Sequence, residues 1–353
     1  MKALFRFAAA ALAFALGADA LAAAAPKVIR IGVSQVGTGN RPVIGGSTFG
    51  IVASRGEIEE EFRKDGIKVE WNYFKGAGPA ANEALANRLL DFVFQGDMAS
   101  LVGRASGLKS RIIVAQTRNG PGYIAVPTGG SEQSINDLKG KKLAVFKGTA
   151  IQLQLARLFD QKGLTERDFR TINMDTATTQ AAIATRDIDG GLFGADIFPL
   201  VDRGIARVIQ KTAPEFGLTS HVSVTDEFEK QHPDIVQRFV NVIVRTQAWV
   251  GDEKNRDQVF QQWAKSGTPY SAFKRDYDGA SLRERQSPLL DENFYAHYRD
   301  SLALAKKFKL VRGDIDVDQW IEPKYLRQAL RDQKLEGYWV ELDAAGKSRL
   351  AAR

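Results

Sequence analysis

Three short turns in this chain carry residue types suited to holding a small anion: Gly78-Pro79-Ala80, Gly96-Asp97-Met98 and Gly148-Thr149-Ala150. Each reads as a corner where a strand ends and a helix starts. A helix start leaves backbone N–H groups unpaired and carries a partial positive charge, so it binds an anion without a full counter-charge. Gly78 and Gly148 let main chain approach a ligand closely, and Thr149 adds a hydroxyl. Gln35, after the first strand, adds an amide. Plainer roles stand beside these. Gly78-Pro79 also suits a simple helix start, Thr149 an N-cap, and Asp97 a cap on its own helix or a contact to an amine. Two basic residues lie at the margins, Arg41 in a long loop and Lys147 before Gly148.

Other chemistries find little support. The chain has no cysteine, which removes disulfides, thiolate metal sites and cysteine nucleophiles. Its three histidines, His221, His232 and His297, lack metal-ligand spacing. No catalytic residue, metal or cofactor is expected. The basic residues are scattered without interleaved aromatics, so nucleic acid is not an expected partner. A mild positive field favours small anions instead.

The turns must be positioned by alternating strands and helices. Lys27–Val33 alternates as a first strand and runs into a long glycine-rich loop, 35–50. A short helix follows at 57–64, then a strand at 68–74. Ala81, Leu85 and Leu89 mark the next helix, the run Leu89–Phe94 leads to the Gly96-Asp97 corner, and 111–116 is a further strand. Residues 27–117 therefore read β-α-β-α-β-α-β, a doubly wound sheet. The same grammar restarts with strands at 123–127, 142–146 and 188–193. Ser134 caps a short helix, Gly163 closes a helix begun near Ile151, and 180–185 is another helix. From Thr225 onward the pattern is helical.

The first 24 residues read as a secretory signal peptide. Lys2 and Arg6 precede an apolar run, Ala8–Leu16, and small residues then offer cleavage after Ala22 or Ala24. Removing Lys2, Arg6 and Asp19 takes the net charge from +7 to +6. With no lipid-bearing cysteine and no later run of roughly 18 apolar residues, the processed chain is expected to be soluble, monomeric and periplasmic.

Several stretches together resemble the periplasmic solute-binding proteins of ABC transporters for aliphatic sulfonates, taurine and nitrate. They are Ile29-Arg30-Ile31-Gly32, Phe74–Pro79 with Glu83-Ala84-Leu85, Leu90-Asp91-Phe92 with Gly96-Asp97, Asp137–Lys142, Lys147-Gly148-Thr149 and the helices from His232-Pro233-Asp234. The resemblance implies an α/β, two-lobed, type II-like clamshell with C-terminal helices. Its first lobe would comprise 25–121 and 222–353, its second 122–221, with hinges near Asn119–Gly122 and Thr219–His221. It implies a small organic anion in the cleft, delivered to an inner-membrane permease. The implied ligand set is Gln35, Arg41, Gly78, Pro79, Asp97, Met98, Gly148, Thr149, Ala150, Thr178 and Asp196. The chain departs from the family pattern in its long loop 36–49. It also has Gly194-Ala195 before Asp196, where the family often has tryptophan. That exchange leaves room for a bulkier ligand. Alternatives are a receptor for nitrate or a larger organic acid, or an enzyme on the same scaffold resembling thiamin-precursor synthases. The family's cysteine-dependent desulfinase mechanism is excluded by composition.

Overall fold

The structure is a computed structural model that describes residues 25–349. The expected signal segment 1–24 lies outside the described residues. Two five-stranded sheets organise the chain. The first contains β1 (Val28–Val33), β2 (Lys68–Tyr73), β3 (Phe92–Gly96), β4 (Ser110–Ala115) and, from much later, β10 (Ser220–Thr225). Its order is β2-β1-β3-β10-β4. The second contains β5 (Tyr123–Pro127), β6 (Lys142–Val145), β7 (Arg170–Asn173), β8 (Gly190–Phe193) and β9 (Ala206–Lys211), in the order β7-β6-β8-β5-β9.

Helices α1 (Thr48–Ser54), α2 (Glu57–Phe62), α3 (Ala77–Ala86) and α4 (Asp97–Ala105) interleave with the first sheet. Helices α5 (Ala150–Lys162), α6 (Thr176–Thr185) and α7 (Phe198–Asp202) interleave with the second. After β10 come α8 (Asp226–Gln231), α9 (Pro233–Gly251), α10 (Arg256–Ala264), α11 (Tyr270–Asp276), α12 (Leu282–Arg285), α13 (Glu292–Lys307), α14 (Val317–Trp320) and α15 (Lys324–Asp332). Among the described residues no helix is long and apolar enough to cross a membrane. The fold is the α/β, two-lobed arrangement with C-terminal helices that the resemblance implies.

The doubly wound reading of 27–117 needs a correction. β1 runs parallel to both β2 and β3, but β10 is inserted antiparallel between β3 and β4. Its sequence, Ser-His-Val-Ser-Val-Thr, hides the strand because polar residues occupy positions buried on both faces. His221 is fully buried there, its Nδ1 against the Tyr298 hydroxyl of α13. Its Nε2 has no hydrogen-bond partner among the described residues. Burial pushes the His221 pKa down to about 3, against a smaller upward pull from Asp97. Helix α1 also departs from expectation, since it occupies the end of the stretch read as loop; Ser47 caps it, accepting from the Gly50 N–H.

The chain crosses between lobes twice, and the crossings are tied to each other. Gly120 N–H donates to Leu218 O at 3.0 Å and Leu218 N–H returns to Gly120 O at 2.9 Å. Arg118, beside the first crossing, makes a buried two-pronged pair with Asp291 at 3.0 and 2.8 Å. Gly122 is required for space, since a Cβ there would lie 2.7 Å from Leu192 Cδ1 and from Gln154 Oε1. The first lobe's core runs from Ile29, Ile31 and Val33 across Phe92 and Phe94 to Phe239 and Tyr298. One member comes from the second lobe: Leu153 of α5 is fully buried in it.

Candidate functional site

A cavity of 370 Å³ lies between the lobes, where strand ends and helix starts meet. Phe94, Phe146, Ile151, Phe193, Leu218 and Phe273 give it apolar walls. Two helix N-termini converge on it. A Cβ built on Gly78 would lie 2.1 Å from Ala99 Cβ and 3.5 Å from Gly148 O. One built on Gly148 would lie 2.9 Å from Pro79 Cγ, so the first turn of α3 meets the turn leading into α5. Gly148 has φ +75°, a left-handed conformation that favours glycine.

The donors at these starts are open. Among the described residues the N–H groups of Gly78, Ala150 and Ile151 have no intramolecular partner, and all three residues line the cavity. Helix α4 differs. Asp97 N–H is taken by Thr219 O at 3.0 Å, and Met98 N–H by the Asp97 carboxylate at 2.7 Å. Helix α6 is capped by Asp175, which accepts from Thr178 N–H at 2.8 Å. Thr149 stands at the N-cap of α5, but its hydroxyl donates to Phe146 O at 2.6 Å.

Of the residues singled out from the sequence, Gln35, Gly78, Thr149, Ala150 and Asp196 line the cavity. Pro79 and Gly148 do not line it; they lie against each other, a Cβ on Gly148 falling 2.9 Å from Pro79 Cγ. Thr178 and Arg41 are exposed; Arg41 lies beside Gly267, 3.4 Å from the position of a Cβ there, and does not line the cavity. Lys147 is exposed too. Met98 is buried in the first lobe's core.

Asp97 is spent elsewhere. Its carboxylate is fully buried, accepting from Arg157 of α5 at 3.3 Å and contacting His297 Nε2 of α13 at 2.8 Å. Arg157 also donates to Ser301 at 2.5 Å. Burial opposes the charge on Asp97, but the His297 hydrogen bond and the Arg157 charge outweigh it and lower its pKa. Burial first, then Arg157, lowers that of His297, against the pull of Asp97. With Leu153 in the same core, α5 is anchored along one side in the first lobe while its N-terminus faces the cleft.

Other cavity groups were missed in the sequence. Phe273, Asp276 and Arg285 come from α11 and α12, far along the chain from any strand-end turn. Asp276 accepts from the Tyr123 hydroxyl of the second lobe at 2.8 Å and from Arg285 Nη2 at 2.9 Å. Arg285 lies over the Tyr277 ring at 3.7 Å. Arg275 pairs with Asp202 at 3.6 Å and covers the Phe198 ring, so α11 bridges to the second lobe. Asp196 accepts from the Gln180 amide at 2.5 Å, and burial pushes its carboxyl pKa up. At the mouth, Lys75 of the first lobe and Asp175 of the second stand 3.8 Å apart. Among the described residues no group of three or more His, Cys, Asp or Glu could hold a metal ion.

The close approach of α3 and α4 yields a direct expectation. Gly78→Ala places a methyl against Ala99 and forces the first turn of α3 away from α4. Overpacking of this kind costs about 1–3 kcal/mol. Urea denaturation should register that loss; a variant as stable as wild type would show that the two helices separate freely.

Two sheet-centred lobes, joined by two hydrogen-bonded crossings around a cleft lined with open helix N-termini, constitute the periplasmic binding protein fold. A Methylobacillus flagellatus KT structure described as a periplasmic sulfonate-binding protein of a sulfonate ABC transporter is 32% identical with a TM-score of 0.77. The match covers 90% of this chain and 98% of that one. A Bacillus subtilis strain 168 protein named for binding aliphatic sulfonates is 25% identical over 88% of this chain and 90% of its own length. The desulfurization enzyme DSZB shares the fold at 18% identity, TM-score 0.63, over 86% of this chain and 99% of its own. The family model described as NMT1/THI5 like matches residues 61–253. The chain belongs to the NMT1/THI5-like family.

Proposed function

We propose that this protein is the soluble periplasmic substrate-binding component of an ABC importer, and that it takes a small organic sulfonate into the interlobe cleft for delivery to a membrane permease. The observation that carries this reading is the convergence of α3 and α5. Their open N–H groups at Gly78, Ala150 and Ile151 face a cavity that also has phenylalanine walls. A tetrahedral anionic head with three oxygens matches several converging N–H donors, and an organic tail matches the phenylalanine walls. The relatives named for sulfonate binding support it. The cysteine-dependent form of the enzyme alternative is excluded, since the chain lacks cysteine.

Backbone donors can be tested by removing one. Ala150 is the first helical residue of α5, a position that tolerates proline, and Thr149 before it is extended, as a residue preceding proline must be. Ala150→Pro deletes one open N–H while keeping the helix. A hydrogen bond to a charged group contributes about 1.5–3 kcal/mol, so sulfonate affinity should fall roughly tenfold or more. Calorimetric titration with short alkanesulfonates reads the effect, with the thermal melt checking the fold. Equal affinity in the variant, or binding of matched carboxylates in preference to sulfonates, contradicts the reading.

A further inference from the structure

Helix α5 is divided between the lobes. It lies between β6 and β7 in the chain, and Leu155, Leu158 and Phe159 are buried in the second lobe's core. Its opposite face carries Ala150, Leu153, Arg157 and Asp160, three or four residues apart, so these side chains share one stripe. Every member of that stripe meets the first lobe. A Cβ built on Gly96 would lie 2.7 Å from Ala150 Cβ. Leu153 is fully buried in the first lobe's core, Arg157 pairs with Asp97 and Ser301, and Asp160 pairs with Lys307 of α13. Gln154 ties the helix to the crossings themselves. Its Nε2 donates to Gly120 O at 3.0 Å and to Thr212 Oγ1 at 3.1 Å.

The lobes meet again at α11 and at the mouth, and there the contacts are of another kind. Arg275 and Asp202 pair with side chains 50% and 59% exposed, where an ion pair contributes little. Lys75 and Asp175 stand 3.8 Å apart. α11 adds only Ala272 to the second lobe's core. When Tyr123 leaves Asp276, the carboxylate keeps Arg285 of its own lobe at 2.9 Å. The α5 stripe has no such release. Lifting it would uncover Leu153 and take from Asp97 the one Arg or Lys that pairs with it among the described residues.

We propose that the lobes turn about α5: opening swings Tyr123, Asp202 and Asp175 away from Asp276, Arg275 and Lys75, while the α5 stripe keeps its seat on the first lobe. This rests on the receptor reading above, which requires the cleft to open, and it sets the order of events. The first turn of α3 meets the turn leading into α5 at that seat, so the open N–H groups of Gly78, Ala150 and Ile151 stay together in the open cleft. The anionic head binds to an assembled site, and closure then brings Gln180 and Asp196 to the rest of the ligand.

The chain has no cysteine, so introduced cysteines carry spin labels at chosen places. One pair, Arg203→Cys with Lys274→Cys, spans the α11 contact. The other, Gln161→Cys with Asp300→Cys, spans the contact of α5 with α13. All four side chains are exposed. Each pair is measured by double electron–electron resonance, without ligand, in a chain carrying Tyr123→Phe and Arg275→Ala to release α11, and a thermal melt checks the fold. Relative to the arrangement in this structure, the α11 distance should be longer by at least about 5 Å and the α5 distance within about 2 Å, because a close-packed face does not slide freely. An α5 distance that grows as much as the α11 distance, or an α11 distance that matches this structure, overturns the proposal. Propane-1-sulfonate added to the same chain should shorten the α11 distance. If it does not, while the ligand-free distances are as expected, the sulfonate reading fails and the pivot stands.

Discussion

Replacing Arg157 by methionine is expected to destabilise the protein by about 3–5 kcal/mol, because it leaves a carboxylate buried without its cation. The Arg157 and Asp97 side chains are only 9% and 0% exposed. Methionine fills much of the same volume, so the loss reports charge rather than a cavity. Arg157 also satisfies Ser301 and contacts His297, which adds to the loss. The companion change Asp97→Asn in the same chain removes the stranded charge and should return part of the stability. Urea denaturation of the single and double variants gives both numbers. A loss below about 1 kcal/mol in Arg157→Met would mean that water reaches Asp97, and the account of α5 as anchored in the first lobe would fail.

Acidification from about pH 7.5 to 5 is expected to weaken the fold by roughly 2 kcal/mol through His221 alone. The folded-state pKa is pushed down to about 3, whereas the unfolded imidazole titrates near its ordinary value of 6.5. The unfolded chain therefore takes up the proton first. Stability is complete above about 6.5 and drains away as the pH falls toward 3. His297, lowered by burial and by Arg157, adds loss of the same sign. Asp196 is raised by burial and contributes in the opposite sense. Asp97 is lowered below the carboxylate range and matters only at more acidic pH. Comparing wild type with His221→Asn at both pH values isolates the histidine. If the stability gap between the two proteins does not change with pH, His221 is not the cause.

Much of the fold was legible because strand and helix periods were clear. β1, β2, β5 and β6 alternate or run apolar, and the Gly96-Asp97 corner falls where β3 meets α4. What escaped did so for physical reasons. β10 is polar in sequence, yet it sits between two neighbours where even Ser220, His221 and Ser223 are buried. α1 lies in a glycine-rich stretch, and Gly50 inside it is needed for space, since a Cβ would lie 2.2 Å from Ile44 O.

The site was partly legible by the same logic. Turns that present main chain, at Gly78 and Thr149-Ala150, can be read from local chemistry, and they line the cavity. The α4 corner looks equivalent in sequence, but Asp97 neutralises its own helix start and turns to Arg157. No spacing rule reveals that. Nor does any local pattern show that α11 and α12 fold back across the cleft to supply Phe273, Asp276 and Arg285.

The insertion of β10 also governs the order in which the chain can assemble. All five strands of the second sheet lie between Tyr123 and Lys211, so that sheet can close from a contiguous stretch. The first cannot. Ser223 pairs with Val93, 130 positions earlier, and until it arrives β3 and β4 each lack the neighbour that joins them. Bringing such distant segments together costs loop-closure entropy, which prior closure of the second sheet lowers by holding Gly120 beside Leu218. Until then two open strand edges invite wrong pairing. The lobe that begins the polypeptide is thus the last to be finished, and the risk of aggregation is concentrated in the interval before residues 220–225 dock.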